Sequence, residues 1–164
     1  DTNVKDFPSA ERLVAVSKSC VRVARLFGFD PKVAFLSHST FGKPISRNTE
    51  HVRKAIEILK KEKVNFNFDG EMQPDVALNP MYKEIYPFSK IVGNANILIM
   101  PALHSAAIST KLMKSFGDAK LIGPLLIGLD LPIEVAPLRS STSDILNLAS
   151  VAAYSSDVIK YEKN

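Results

Sequence analysis

A chain of 164 residues, 46% hydrophobic and 23% charged, can bury roughly two thirds of its unfolded surface, which bounds it to one or at most two small soluble domains. Lys and Arg number 21 against 17 Asp and Glu, and acidic and basic residues intermingle along stretches such as Glu57-Ile58-Leu59-Lys60-Lys61-Glu62-Lys63, so a solvated face is expected and a nucleic-acid stripe is not. One Cys excludes an internal disulfide framework or a cysteine metal site, and no uncharged run approaches the ~18 residues of a membrane span. The charged start DTNVKDFPSAERL is unlike a secretory leader, so the expected setting is a reducing cytoplasm, and its lack of an initiator Met points to a piece of a longer protein.

After Pro8 a helix is predicted, with Ser9 as cap, Glu11 at its positive end and Leu13, Val16, Cys20, Ala24 and Phe27 on one face before Gly28 stops it. Asp30-Pro31 is a turn. Val33 to Leu36 is a continuous apolar run of strand length, the pattern of a strand covered on both faces in a parallel sheet. The polar loop from Ser37 to Asn48 follows. Thr49 opens a second helix with the stripe Val52, Ala55, Ile56 and Leu59, after which Val64, Phe66 and Phe68 alternate like a strand that Asp69-Gly70 closes.

The stretch 69–96, broken at Asn79-Pro80 and Tyr86-Pro87, reads as an irregular excursion. Ile97 to Met100 is another buried strand, followed by a helix from Ser105 to Phe116 that carries Ile108, Leu112 and Met113 and stops at Gly117. Lys120 to Ile122 and Ile133 to Val135 are further strand candidates, and a last helix runs from about Thr142 toward Tyr161. Strands alternating with helices of this length require right-handed crossovers and a mostly parallel sheet. The expected class is therefore α/β, a three-layer αβα arrangement, with an α/β subdomain over about 9–136 and a C-terminal helix over about 137–164.

In such a fold ligands collect beyond the carboxyl ends of the strands. The first loop there, SHSTFGKPISRN, offers Ser37, His38, Ser39, Thr40, Lys43 and Arg47, with Gly42 letting backbone approach a phosphate; a merely solvated loop is an equal alternative. It carries neither GxxxxGK[ST] nor GxGxxG. In DGEMQPD the acids Asp69, Glu71 and Asp75 allow a metal or acid/base role, but turn and helix-start chemistry account for them better. His104 precedes a helix start where it can face an anion, although a lone His is more often structural or solvent-facing. In VAPLRSSTSDI, Ser141 and Asp144 have capping-box spacing, and Arg139 stands at a strand end on the rim with Lys43 and Arg47. No GxSxG elbow accompanies the Ser, His and Asp residues, and three His without spaced partners make no metal site.

The segments FDPKVAFLSHSTFGKP, DGEMQPDVALNP, ANILIMPALHSAAISTKL, LIGPLLIGL and STSDILNLA together resemble the phosphate acetyl/butyryltransferase family, phosphotransacetylase, from about Ser9 to Ala153. The resemblance implies the second half of a phosphotransacetylase or isopropylmalate-dehydrogenase-like architecture. Where active members of the family read about DLSRGCSxxDI, this chain reads VAPLRSSTSDI, with Pro137 and Leu138 at the catalytic Ser and Arg positions and Asp144 kept. The family's PDLxAGNxxYK becomes PALHSAAISTK, with Ala102 for its Asp and Ala107 for its Asn, and only Lys111 survives of that polar set.

Losing an Arg that stabilises a transferring group costs on the order of 10²- to 10³-fold in rate, so no useful acyl transfer is expected. Arg139, one residue late, would have to be re-aimed to replace it.

That pattern is more similar to the carboxyl-terminal phosphotransacetylase-like module of NADP-dependent malic enzymes. What this resemblance implies is a non-catalytic domain that binds acetyl-CoA as a feedback signal, contacts its own malic enzyme domain and forms a homo-oligomer, without nucleic-acid or membrane partners. The parent converts malate to pyruvate and CO₂ with NADP and Mg²⁺ or Mn²⁺, none of whose catalytic residues lie in this chain. Expected ligand contacts are His38, Ser39, Thr40, Lys43, Arg47, His104, Lys111 and Arg139. The alternatives are an active phosphate acetyltransferase using Arg139 and Asp144, and an oligomerisation scaffold with Ile85, Tyr86 and Phe88 at a subunit contact.

Overall fold

In a computed structural model the chain is described over residues 6–116, 121–127, 129 and 131–162. The chain divides into two units, residues 1–109 and 110–164.

The first unit is built around a three-stranded parallel sheet of order β2-β1-β3, with β1 at Lys32–Leu36, β2 at Asn67–Met72 and β3 at Ile97–Ile99. Central β1 is buried from Val33 to Leu36, as its unbroken apolar run requires of a strand covered on both sides. Val33 and Phe35 point into one core, with α1 (Ala10–Leu26) and α2 (Glu50–Glu62) above them; Ala34 and Leu36 point into the other, with Met72, Val76, Ala77, Ile91 and Val92. The sheet is thus the middle of three layers and the class is α/β. Its second cover is the short helix α3 (Pro74–Leu78) and the irregular chain after it.

The Ser9 hydroxyl caps α1 by accepting the Arg12 amide at 3.3 Å. Its buried side is Ala10, Leu13, Val14, Ser17 and Val21, one ridge round from the expected stripe. Val16, Cys20 and Ala24 only flank that core, and Phe27 is 39% exposed. The stripe of α2 is as the spacing predicts: Val52, Ala55, Ile56 and Leu59 are all buried. At its end Lys63 adopts the left-handed conformation, φ 50°, usually left to glycine.

Asp69-Gly70 is not a turn: β2 runs straight through it. A Cβ on Gly70 would lie 2.6 Å from the Phe35 carbonyl oxygen, so the glycine serves close approach of two strands. The ladder register slips there, with Phe35 opposite Gly70 and Leu36 opposite Met72, leaving Glu71 as the extra residue of a bulge.

Helix α4 spans Leu103–Phe116. Only its Ala106 is buried, while Ile108, Leu112 and Met113 are exposed. The expected stop at Gly117 lies outside the described residues, as does Lys120. In the second unit the expected strands over Leu121-Ile122 and Ile133-Val135 form no ladder and have no aligned partner among the described residues, and both runs are about half exposed. Helix α5 spans Thr142–Glu162.

Candidate functional site

Beyond the carboxyl ends of β1 and β3 the first unit opens into a cleft of about 1150 Å³. Its walls come from the starts of three helices as well as the strand ends: Ser9, Ala10 and Glu11 of α1, Thr49, Glu50 and His51 of α2, Ala102, His104 and Ser105 of α4, with Ser37, His38, Met100 and Pro101 between them. Helix starts converge there because each helix follows a strand or lies antiparallel to one, which turns its orphan N–H groups and positive dipole end toward the same rim. All three histidines of the chain, His38, His51 and His104, line this cleft, together with the cations Arg47 and Lys54.

The acids of the cleft temper those cations. Lys54 Nζ lies 2.8 Å from Glu50 Oε1, one turn away along α2. Hydrogen bonding to Lys54 and its charge hold the Glu50 carboxyl below its ordinary value, and the same contact raises the Lys54 ammonium. Glu11 is lowered by a backbone amide hydrogen bond and the Ser9 hydroxyl. His51 Nε2 is 3.0 Å from the Pro101 carbonyl oxygen, which ties the start of α2 to the end of β3.

The loop after β1 is fixed from beneath by a buried carboxylate. Glu71 is 1% exposed, and its Oε1 accepts from Ser39 Oγ at 3.0 Å, the Gly42 amide at 2.8 Å and an Arg53 guanidinium nitrogen at 3.4 Å. Arg53 also donates to Thr49 Oγ1 at 2.7 Å and the Ser46 carbonyl at 3.1 Å, closing the far end of the loop. Between them Thr40 and Lys43 bridge across Phe41 and Gly42, whose φ values of 48° and 83° are both positive, as a tight primed turn requires. Phe41 is held in that conformation by ring contacts with Tyr86 and Phe88, at centroid separations of 5.3 and 4.9 Å.

Of the residues singled out in the sequence, the structure brings His38, Arg47 and His104 together on the cleft wall. Ser39 is fully buried and spends its hydroxyl on Glu71, while Thr40 Oγ1 accepts the Gln73 amide at 3.2 Å. Gly42 meets Glu71, not a ligand, and Lys43 is an exposed turn residue. Lys111, Pro137, Leu138, Arg139 and Asp144 belong to the second unit. There Asp144 completes the capping box of α5: its Oδ2 accepts the Ser141 amide at 2.9 Å, and Ser141 Oγ accepts the Asp144 amide at 3.2 Å. Ser37, offered by the loop after β1, also lines the cleft, as does Ser9, read from the sequence only as a helix cap. Sequence reasoning passed over His51 and Lys54; the signal available was the helix start at Thr49, whose first turn must face the same rim as the β1 loop. Among the described residues no group of three or more His, Cys, Asp or Glu is placed to hold a metal ion, and no helix is long and apolar enough to cross a membrane.

Comparison with known proteins decides the family, because the family model for phosphate acetyl/butaryl transferase matches residues 1–153. The chain belongs to the phosphate acetyl/butaryl transferase family. It is 46% identical over 154 residues to an NADP-dependent malic enzyme of Rhizobium meliloti, an alignment covering 94% of this chain and 20% of that protein. A phosphate acetyltransferase of Bacillus subtilis is 32% identical, over 93% of this chain and 48% of its own length. Among solved structures a phosphotransacetylase from Streptococcus pyogenes superposes with a TM-score of 0.88 at 34% identity, covering 95% of this chain and 48% of that one. This member of the family therefore spans about a fifth of the malic enzyme and about half of the transferases that it matches.

Proposed function

We propose that this chain is the acetyl-CoA-sensing, oligomer-forming regulatory module of an NADP-dependent malic enzyme and does not itself transfer acyl groups. The observation that carries the reading is a ligand-sized cleft lined by His38, Arg47, His51, Lys54 and His104, in a chain whose family catalytic positions hold Pro137 and Leu138. Arg47, Lys54 and the imidazoles supply donors for phosphate groups, and Phe7, Leu36, Met100 and Ala102 give the apolar wall that a pantetheine arm needs. Similarity to malic enzymes supports the parent reaction, oxidative decarboxylation of malate to pyruvate, with NADP and Mg²⁺ or Mn²⁺ held by the malic enzyme domain. Oligomer formation is supported by the exposed apolar residues Ile85 and Phe88 beside the Phe41–Tyr86 ring pair.

The reading is allosteric: acetyl-CoA binds this module and shifts the malic enzyme toward a less active state. It is tested by titrating acetyl-CoA calorimetrically into the full parent protein while following malate oxidation and acetyl phosphate formation. Expected are saturable binding, lowered malate oxidation and no acetyl phosphate, with Arg47→Gln weakening binding about tenfold, the loss of one charge-assisted contact. Unchanged malate oxidation at saturating acetyl-CoA overturns the regulatory reading, and acetyl phosphate formation replaces it with an active phosphate acetyltransferase.

A further inference from the structure

One hydroxyl on the cleft wall has its hydrogen-bond direction set from inside the protein. Ser37 stands just past the carboxyl end of β1, 8% exposed, and lines the cleft beside His38. Its amide donates to the Met72 carbonyl at 2.9 Å, and the Gln73 side chain donates to the His38 carbonyl at 2.7 Å, so the backbone that carries it is held on both sides. Behind it a chain of contacts ends on a carboxylate. Ser37 Oγ is 3.4 Å from Ser39 Oγ, and Ser39 Oγ is 3.0 Å from Glu71 Oε1.

The directions along this chain follow from its inner end. Glu71 Oε1 also receives the Gly42 amide and an Arg53 nitrogen, groups that only donate, so this oxygen is an acceptor throughout. Ser39 therefore gives its hydroxyl proton to Glu71 and turns lone pairs toward Ser37. Ser37 in turn sends its proton inward, because the alternative sets two oxygen lone pairs against each other in a buried place. The Ser39 amide, 3.3 Å away, takes one lone pair of Ser37 Oγ. A hydroxyl has one proton and two lone pairs, so what Ser37 has left for the cleft is a lone pair.

We infer that Ser37 is a specificity-determining acceptor, which takes a hydroxyl or amide N–H of the cleft's ligand and disfavours phosphate or carboxylate oxygens at that position. The cleft is thereby divided: anionic groups meet Arg47 and Lys54, and a neutral, donor-bearing part of the ligand meets Ser37. This corrects the expectation that the whole loop after β1 cradles a phosphate. The inference requires only that a ligand enters the cleft, so it is separate from the acetyl-CoA reading.

Two measurements on the whole chain test it. Neutron diffraction from ligand-free crystals exchanged into D₂O locates the hydroxyl deuterons, with that of Ser37 expected on the line to Ser39 Oγ and that of Ser39 on the line to Glu71. A Ser37 deuteron turned to the cleft overturns the inference, whatever the cleft binds. NMR titrations at constant ionic strength then compare pantetheine, which carries amide N–H and hydroxyl donors, with sulfate, which only accepts. Ser37→Ala is expected to weaken pantetheine about fivefold, the loss of one neutral hydrogen bond, and to leave sulfate unchanged. Ser39→Ala keeps Ser37 but removes its inward acceptor, which frees the Ser37 proton and should tighten sulfate about threefold. An equal effect of Ser37→Ala on both probes, or no pantetheine response for it to act on, overturns the inference. Failure of acetyl-CoA to bind while these results hold removes the regulatory reading alone.

Discussion

Ser39 Oγ donates to Glu71 Oε1 at 3.0 Å across the bulge that joins β1 to β2, and both side chains are almost wholly buried. The same oxygen holds the Gly42 amide and Arg53, so one carboxylate gathers the loop that carries His38 and Arg47 to the cleft. Glu71→Ala takes the acceptor from the Ser39 hydroxyl and the Gly42 amide, while Arg53 keeps Thr49 and Ser46, and is expected to cost about 2–4 kcal/mol. Ser39→Ala leaves the other contacts in place and costs about 1 kcal/mol. Urea unfolding of the two variants and their double mutant, whose effects should not add, measures this.

Two glycines near that carboxylate are needed for different reasons. At Gly70 a Cβ would press against the Phe35 carbonyl at 2.6 Å, whereas at Gly42 nothing lies within 4 Å and only the φ of 83° disfavours a side chain. Gly42→Ala is therefore expected to cost ~1–2 kcal/mol and keep a folded chain. Gly70→Ala must push β1 and β2 away from each other and costs about 3 kcal/mol or more, with a low yield of soluble protein. Thermal melts of both variants distinguish a steric from a conformational requirement.

What the sequence made legible was whatever depended on local pattern alone. The stripe of α2, the double burial of β1, the Ser9 cap and the Ser141–Asp144 capping box all follow from periodicity or cap spacing. Asp69-Gly70 misled because a glycine that admits a neighbouring strand is spelled the same way as one that makes a turn. Glu71 looked like turn chemistry for a related reason: its partners are 29 and 32 residues earlier and 18 residues earlier in α2, a separation that no local pattern encodes. The apolar runs at Leu121-Ile122 and Ile133-Val135 have strand-like composition, yet a strand also needs an aligned partner, and composition says nothing of that. At the cleft, His38, Arg47 and His104 could be placed from strand ends, while His51 required knowing that α2 starts on the same rim.

Leu138, which the sequence resemblance puts at the family's Arg position, is fully exposed, at 103% of its reference surface. Leu138→Arg removes no packing, so its stability should stay within about 0.5 kcal/mol of the parent's. Acetyl phosphate formation is expected to remain at background in this variant, because on the same resemblance Pro137, Ala102 and Ala107 stand where the family carries polar groups. An assay of acetyl phosphate on the single variant and on the combined Pro137→Ser and Leu138→Arg protein checks both halves of the statement.

Cys20 lines a small apolar cavity with Leu13, Val16, Leu98 and Leu103, and burial there raises its thiol above the ordinary value. A raised value means that the proton is retained to higher pH, so the thiolate, which is the reacting species, is scarcer than in an exposed cysteine at every pH below that value. Alkylation by iodoacetamide at pH 8 should accordingly be slow in the folded chain and fast in urea, and the folded rate should still be climbing where that of a free thiol has levelled off. An equal rate in both states would mean that the α1 flank opens freely, which the packing of Cys20 against the α1–α2 core opposes.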